Sequence, residues 1–136
     1  MGERINCTVA FVLSQNRKQV LLLLKQKPIQ HTGLYNGVGG VIKVGEKPIV
    51  AMARECREET GLVIEGEKWT MFKKNQTFSG GDLFIYTARC PLDQTVTKGD
   101  AGKALWFDAS SLPCNIVPDV PDLIARARKI YGGAHW

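Results

Sequence analysis

Three glutamates, Glu55, Glu58 and Glu59, fall within ten residues of the run Ala51–Thr60. On a helix turning about 100° per residue, Glu59 lies roughly 40° to one side of Glu55 and Glu58 roughly 60° to the other. Arg54 comes beside Glu58, and Arg57 projects nearly opposite Glu55. Carboxylates grouped in this way repel, and Glu–Glu pairs four residues apart weaken an isolated helix. They also occupy its C-terminal half, where the helix dipole disfavours negative charge. Local rules broken together in one place point to function there. A divalent cation offsets the repulsion most directly, and hard oxygen ligands select Mg²⁺ or Mn²⁺ over zinc. The plainer alternative is a solvated Glu-rich face balanced by arginines.

The elements that must hold these carboxylates can be read from periodicity and turn chemistry. Pro48 suits a first helical turn, and Gly61 suits a left-handed stop after Thr60. Ile49, Met52, Ala53 and Cys56 form an apolar stripe separate from the glutamates. Upstream, residues 5–13 and 19–25 read as two strands joined in a hairpin. Residues 26–40 are rich in glycine and read as loop. Strands are expected at 69–78, 82–90 and 103–109, with an open loop at 91–103. Leu123, Ile124, Ala127, Ile130 and Tyr131 recur at helical spacing over 120–131, predicting a docked amphipathic helix. These elements predict an α/β fold with a mixed sheet, one domain over residues 1–136.

The composition sets bounds on partners. The chain has 136 residues, 44% of them hydrophobic and 23% charged, which excludes wholesale disorder. Val20–Leu24, a dense apolar run matched in length by Val9–Leu13, is far too short to span a bilayer. No secretory h-region follows Met1, and Asn6 stands where a myristoylation signal needs Ser or Thr. Cys7, Cys56, Cys90 and Cys114 are scattered, with no C-x-x-C pair. The expectation is a cytoplasmic protein with reduced thiols and no membrane partner. Eighteen Lys and Arg outnumber thirteen Asp and Glu, for a net charge of +5. The positive residues are spread thinly, in clusters no longer than Arg126-Ala127-Arg128-Lys129, which argues against nucleic acid as the partner.

Gly40, Glu46, Arg54, Glu55, Glu58, Glu59 and Gly61 together keep the spacing G-x5-E-x7-R-E-x2-E-E-x-G. Seven fixed positions match by chance on the order of once in 10⁸ starts at ordinary residue frequencies. This segment resembles the Nudix box, and the resemblance to Nudix hydrolases extends over the chain in length and element order. Cys56 replaces the bulkier aliphatic residue usual in the family. The resemblance implies an α/β/α sandwich with a mixed sheet, and metal-assisted attack of water on a nucleoside diphosphate linked to another group. By position it assigns Glu58 and Glu59 as principal ligands of Mg²⁺ or Mn²⁺, with Glu55 direct or water-bridged. The Gly39 carbonyl is a further ligand candidate. Arg54 would orient the glutamates, Glu46 would brace the loop, and Gly40 and Gly61 would shape its ends. Asp100, beyond the box, is the candidate for an additional acid.

The stretch Leu34-Tyr35-Asn36-Gly37-Val38-Gly39-Gly40 resembles the W-N-G-F-G-G segment of the oxidised-purine nucleoside triphosphatases in this family. That likeness makes Asn36 a candidate for base recognition. The order Trp106-Phe107, Pro113, Pro118-Asp119, also found in that subgroup, makes Asp119 another, with Tyr35, Phe78 or Trp106 available for stacking. Val117 and Val120 stand where that subgroup carries an aromatic and a second acid. The proline or tyrosine that marks ADP-ribose or diadenosine polyphosphate members is missing at Thr77–Ser79, and the S-Q-P-W-P-F-P motif of NADH-type members is absent. The expected substrate is a nucleoside di- or triphosphate, most directly a (d)NTP cleaved to (d)NMP and pyrophosphate by a monomer or homodimer. The alternatives are nucleotide sugars, ADP-ribose or another dinucleotide. A non-catalytic nucleotide-sensing module is the reading from another class, and the intact box glutamates argue against it.

Overall fold

The computed structural model describes residues 4–25, 32–91 and 104–131. Strand β1 (Cys7–Ser14) runs through the middle of a seven-stranded sheet. Its sequence CTVAFVLS is apolar on both faces, and its residues from Thr8 onward are buried. A strand covered on both sides reads as a continuous apolar run rather than an alternating one. β2 (Gln19–Leu24) returns antiparallel to β1, and β6 (Asp82–Cys90) lies parallel on the other edge. β5 (Thr70–Gln76) pairs antiparallel with β6, and β7 (Ala104–Asp108) with β2.

The stretch read from sequence as loop contains two further strands. β3 (Tyr35–Asn36) pairs with the end of β2, and β4 (Val38–Val41) pairs with the first half of β1. β1 and β2 share only the pairs Val12–Leu21 and Leu13–Val20. The 35–41 segment fills the gap where they part, crossing from one to the other at Gly37. A side chain at Gly37 would overlap the carbonyl of Ala10, and one at Gly39 the carbonyl of Thr8. The glycines that suggested loop are what allow this segment to lie against the sheet.

Helix α1 (Pro48–Thr60) covers one face and helix α2 (Val120–Ile130) the other, giving the α/β/α sandwich. Met52 and Cys56 of α1 pack with Ala10, Val12, Leu21, Leu23 and Val38. Leu123, Ile124 and Ala127 of α2 pack with Val9, Phe11, Leu13, Val20 and Leu22. Pro48 opens α1, and Gly61 closes it at φ 80°, its N–H bonded to the Arg57 carbonyl. The buried side of α1 is Ala51, Met52, Cys56, Glu59 and Thr60, whereas Ile49 and Ala53 are only partly covered. The helix is thus turned further toward its glutamates than the apolar stripe predicts. Among the described residues no disulfide joins Cys7, Cys56, Cys90 or Cys114. Among the described residues no helix is long and apolar enough to cross a membrane.

Candidate active site

α1 lies over β4, so its glutamates meet the glycine-rich crossing strand. Glu59 is 6% exposed, the least exposed of the box carboxylates. Its Oε1 accepts a 2.7 Å bond from the Gly39 N–H, and its Oε2 lies 3.9 Å from the Lys25 ammonium. Lys25 also donates to the Gly39 carbonyl at 3.4 Å. Burial pushes the Glu59 carboxyl up to about 7; Lys25 and the Gly39 N–H pull it down, while Glu55 and Glu58 push it further up. A buried carboxylate among other carboxylates therefore relies on a neighbouring cation.

Arg54 ties the rest of the motif together with all five guanidinium hydrogens. Its Nε and Nη2 donate to the two oxygens of Glu46 at 2.8 and 2.9 Å, a bidentate pair. Nη2 also donates to the Val41 carbonyl at 3.0 Å, and Nη1 donates to Glu55 at 2.9 Å and Glu58 at 2.7 Å. Glu46 further accepts the Lys43 N–H at 3.0 Å, which fixes the turn between β4 and α1. The Arg54 guanidinium, followed by the Lys43 N–H, holds the Glu46 carboxyl down at about 2. Glu46 hydrogen bonds, followed by those of Glu58 and Glu55, hold Arg54 firmly protonated.

Glu55 lies against Gly40, whose missing side chain leaves it room: a Cβ there would stand 2.6 Å from the carboxylate carbon. The half-buried Cys7 thiol adjoins this spot, raised first by burial and then by Glu55. Glu58 is the outermost of the three, its side chain 44% exposed. The site therefore grades from buried Glu59 through Glu55 to solvent at Glu58. Among the described residues no three acidic, cysteine or histidine side chains converge as a ready-made metal cage. The donors nevertheless suit a hard divalent cation: they are carboxylate oxygens and a backbone carbonyl, and a cation, the Lys25 ammonium, already stands beside Glu59 and Gly39.

The remaining sequence candidates are dispersed. Asn36 pairs in register with Leu23, which places it on the α1 face of the sheet, but its Oδ1 accepts the Gly37 N–H at 2.7 Å. Tyr35 turns to the α2 face and packs edge-on against Phe107, with ring centroids 4.9 Å apart. Asp119 precedes α2 as its N-cap residue without a side-chain cap bond, close in sequence to Val117, whose N–H bonds Tyr35. Phe78 is 74% exposed in the turn between β5 and β6. Trp106 packs at the edge of the α1-side core. Asp100 lies outside the described residues. Lys25, the Val41 carbonyl and the Lys43 N–H enter the site without having been singled out from sequence. No spacing rule marks Lys25, which closes a run of four leucines; only its strand register reveals which way it faces.

The NUDIX domain profile matches residues 5–129. The chain belongs to the Nudix hydrolase family. It is 44% identical over 100 residues to the NAD-capped RNA hydrolase NudC of Vibrio cholerae, covering 71% of this chain and 36% of that protein. The NudC of Vibrio vulnificus is 42% identical over 98 residues, covering 71% and 37%. The chain thus spans little more than a third of these relatives' length. Among solved structures, a MutT/nudix family protein from Enterococcus faecalis superposes with a TM-score of 0.78 at 18% identity, covering 93% of this chain and 61% of that one. The NUDIX domain of Shewanella oneidensis NrtR, solved in complex with ADP ribose, gives 0.77 at 19% identity, covering 96% and 90%. At such identities the superpositions speak for the fold.

Proposed function

We propose that this chain hydrolyses a phosphoanhydride of a nucleoside diphosphate that carries a further group, with Mg²⁺ or Mn²⁺ held by Glu59, Glu55, Glu58 and the Gly39 carbonyl. The observation that carries this reading is the buried Glu59, anchored by Gly39 and, among the described residues, paired with the Lys25 ammonium alone. When bound, the cation would neutralise non-bridging phosphate oxygens and make a bound water more acidic. The protein's own part is positional. Arg54 fixes Glu55 and Glu58 through their Oε1 atoms, and Glu46 fixes Arg54. Glu55 rests in the space that Gly40 leaves open and Glu58 reaches solvent, so either can accept the proton of an attacking water. Asp100 is proposed as a further acid. Asn36 and Asp119 are proposed for base recognition, with Tyr35 or Phe78 as stacking partners.

The first substrate reading is a (d)NTP, cleaved to the monophosphate and pyrophosphate. It rests on the Tyr35–Gly40 segment. The second is a dinucleotide such as an NAD-type or ADP-ribose-type molecule. It is favoured by the names of the Vibrio relatives and by the ligand of the Shewanella domain. A Mg²⁺-dependent screen of canonical and oxidised nucleotides, nucleotide sugars, ADP-ribose, NAD and NAD-capped RNA, with products resolved, tests both. Pyrophosphate released from a triphosphate is the outcome expected of the first reading. Two monophosphate products from a dinucleotide would replace it with the second. No metal-dependent turnover of any member would remove the catalytic reading altogether.

A further inference from the structure

The Lys25 ammonium sits on the two groups that a divalent cation needs, 3.9 Å from Glu59 Oε2 and 3.4 Å from the Gly39 carbonyl. Both partners are nearly dry, with side-chain exposures of 12% for Lys25 and 7% for Glu59. The other strong cation of the motif, Arg54, directs its five hydrogens to Glu46, Glu55, Glu58 and Val41 and none to Glu59. Among the described residues Lys25 is therefore the positive charge that serves this buried carboxylate, which needs one.

Its backbone is held independently of that contact. The Lys25 N–H donates to the Leu34 carbonyl at 2.9 Å, and its carbonyl accepts the Gly33 N–H at 3.0 Å. The four-carbon stem can thus swing away without disturbing the strand end. An ammonium and a divalent cation cannot share the same two oxygens, because like charges at such separations repel strongly out of water.

We infer that Lys25 is an exchangeable internal cation: it holds Glu59 and the Gly39 carbonyl in the metal-free protein and withdraws when a divalent cation takes them. This rests on the proposed assignment of Glu59 and Gly39 as metal ligands. The site's affinity for metal is then set by competition with a side chain of the protein itself. Lys25 keeps the site folded between turnovers and weakens its hold on the ion.

The test is Mn²⁺ binding to the whole chain by titration calorimetry at pH 8.5, without substrate, alongside thermal melts in EDTA. Lys25→Met is expected to bind Mn²⁺ at least fivefold more tightly than the wild type and to melt at a lower temperature in EDTA. Lys25→Arg, which keeps the charge, is expected to stay within about threefold of the wild type. If Lys25→Met does not fold, Lys25→Gln carries the same expectation. Unchanged or weaker Mn²⁺ binding in the uncharged variants overturns the exchange, as does Lys25→Arg binding as tightly as Lys25→Met. Glu59→Gln separates the two layers of the inference. If it loses Mn²⁺ while Lys25→Met is unchanged, the exchange alone fails; if it binds Mn²⁺ as the wild type does, the metal-site assignment fails with it.

Discussion

Glu59 is where burial and charge oppose each other most directly in this molecule. Its carboxyl is raised to about 7 in the metal-free fold, against 4.5 for the free group. Because the folded value is the higher, the neutral carboxyl contributes stability fully below about pH 4.5, and that contribution is lost as pH climbs through about 7. A shift of that size corresponds to about 3 kcal/mol for so buried a group. In EDTA the melting temperature should therefore fall by several degrees from pH 5 to pH 8, and Glu59→Gln should flatten the profile across that window. A wild-type profile that is already flat would show that Glu59 ionises freely. Glu46 has the opposite sign: its carboxyl is held at about 2, so its contribution is present above pH 4.5 and disappears as pH falls toward 2. Arg54 offers a second test at this scale. A lysine there retains the charge but cannot reproduce five directed bonds to Glu46, Glu55, Glu58 and Val41. Arg54→Lys should lower Mn²⁺ affinity by about tenfold, as loss of a ligand-orienting partner commonly does. Calorimetry reads this directly, and wild-type affinity would mean that the glutamates hold their places unaided.

The two elements that build the site differ in how far their sequence discloses them. α1 is legible at both ends, because Pro48 and Gly61 are local start and stop signals that need no tertiary context. Its facing was less so: Ile49 and Ala53 belong to the apolar stripe by spacing, yet Glu59 and Thr60 take the buried place beside β4. The crossing segment 35–40 reads locally as loop for a physical reason. Its pairing is decided by β1 and β2, far away in sequence, and close approach to them demands the very glycines that locally signal a turn. Two substitutions in this segment should have contrasting effects. At Gly37 a methyl group meets the Ala10 backbone in the central strand, which cannot yield, so Gly37→Ala should destabilise by about 2–4 kcal/mol. At Gly40 the atoms nearest to the methyl group are those of the Glu55 carboxylate, the far end of a flexible side chain. Gly40→Ala should keep the melting temperature within a few degrees while cutting turnover at least tenfold, since Glu55 must leave its seat. Paired melts and kinetics check both, and equal stability losses at the two glycines would contradict the register that places them.

The sandwich as a whole separates charge in a way that the totals conceal. The chain carries a net charge of +5, yet Glu46, Glu55, Glu58 and Glu59 lie together against the end of one helix and its preceding loop. Lys25 and Arg54 sit among these glutamates, whereas Arg17, Arg89 and Arg128 gather around the C-terminal end of α2, on the other side of the sheet. A positively charged body around a local acidic site draws anionic substrates from a distance and leaves the carboxylates to be balanced by cations at close range. Such steering acts on encounter rather than on chemistry, and it is screened beyond about 10 Å at 0.1 M salt. Raising KCl from about 20 to about 200 mM should therefore lower kcat/KM several-fold while kcat changes less than about twofold. The slope should also follow the charge of the substrate. A magnesium-bound nucleoside triphosphate retains net negative charge, whereas a magnesium-bound dinucleotide diphosphate is nearly neutral. The salt effect should be steep for the first and shallow for the second, whichever of them is turned over faster. Initial rates at substrate concentrations well below KM measure this for each compound. Equal slopes for substrates of such different charge would assign the positive surplus to solubility alone.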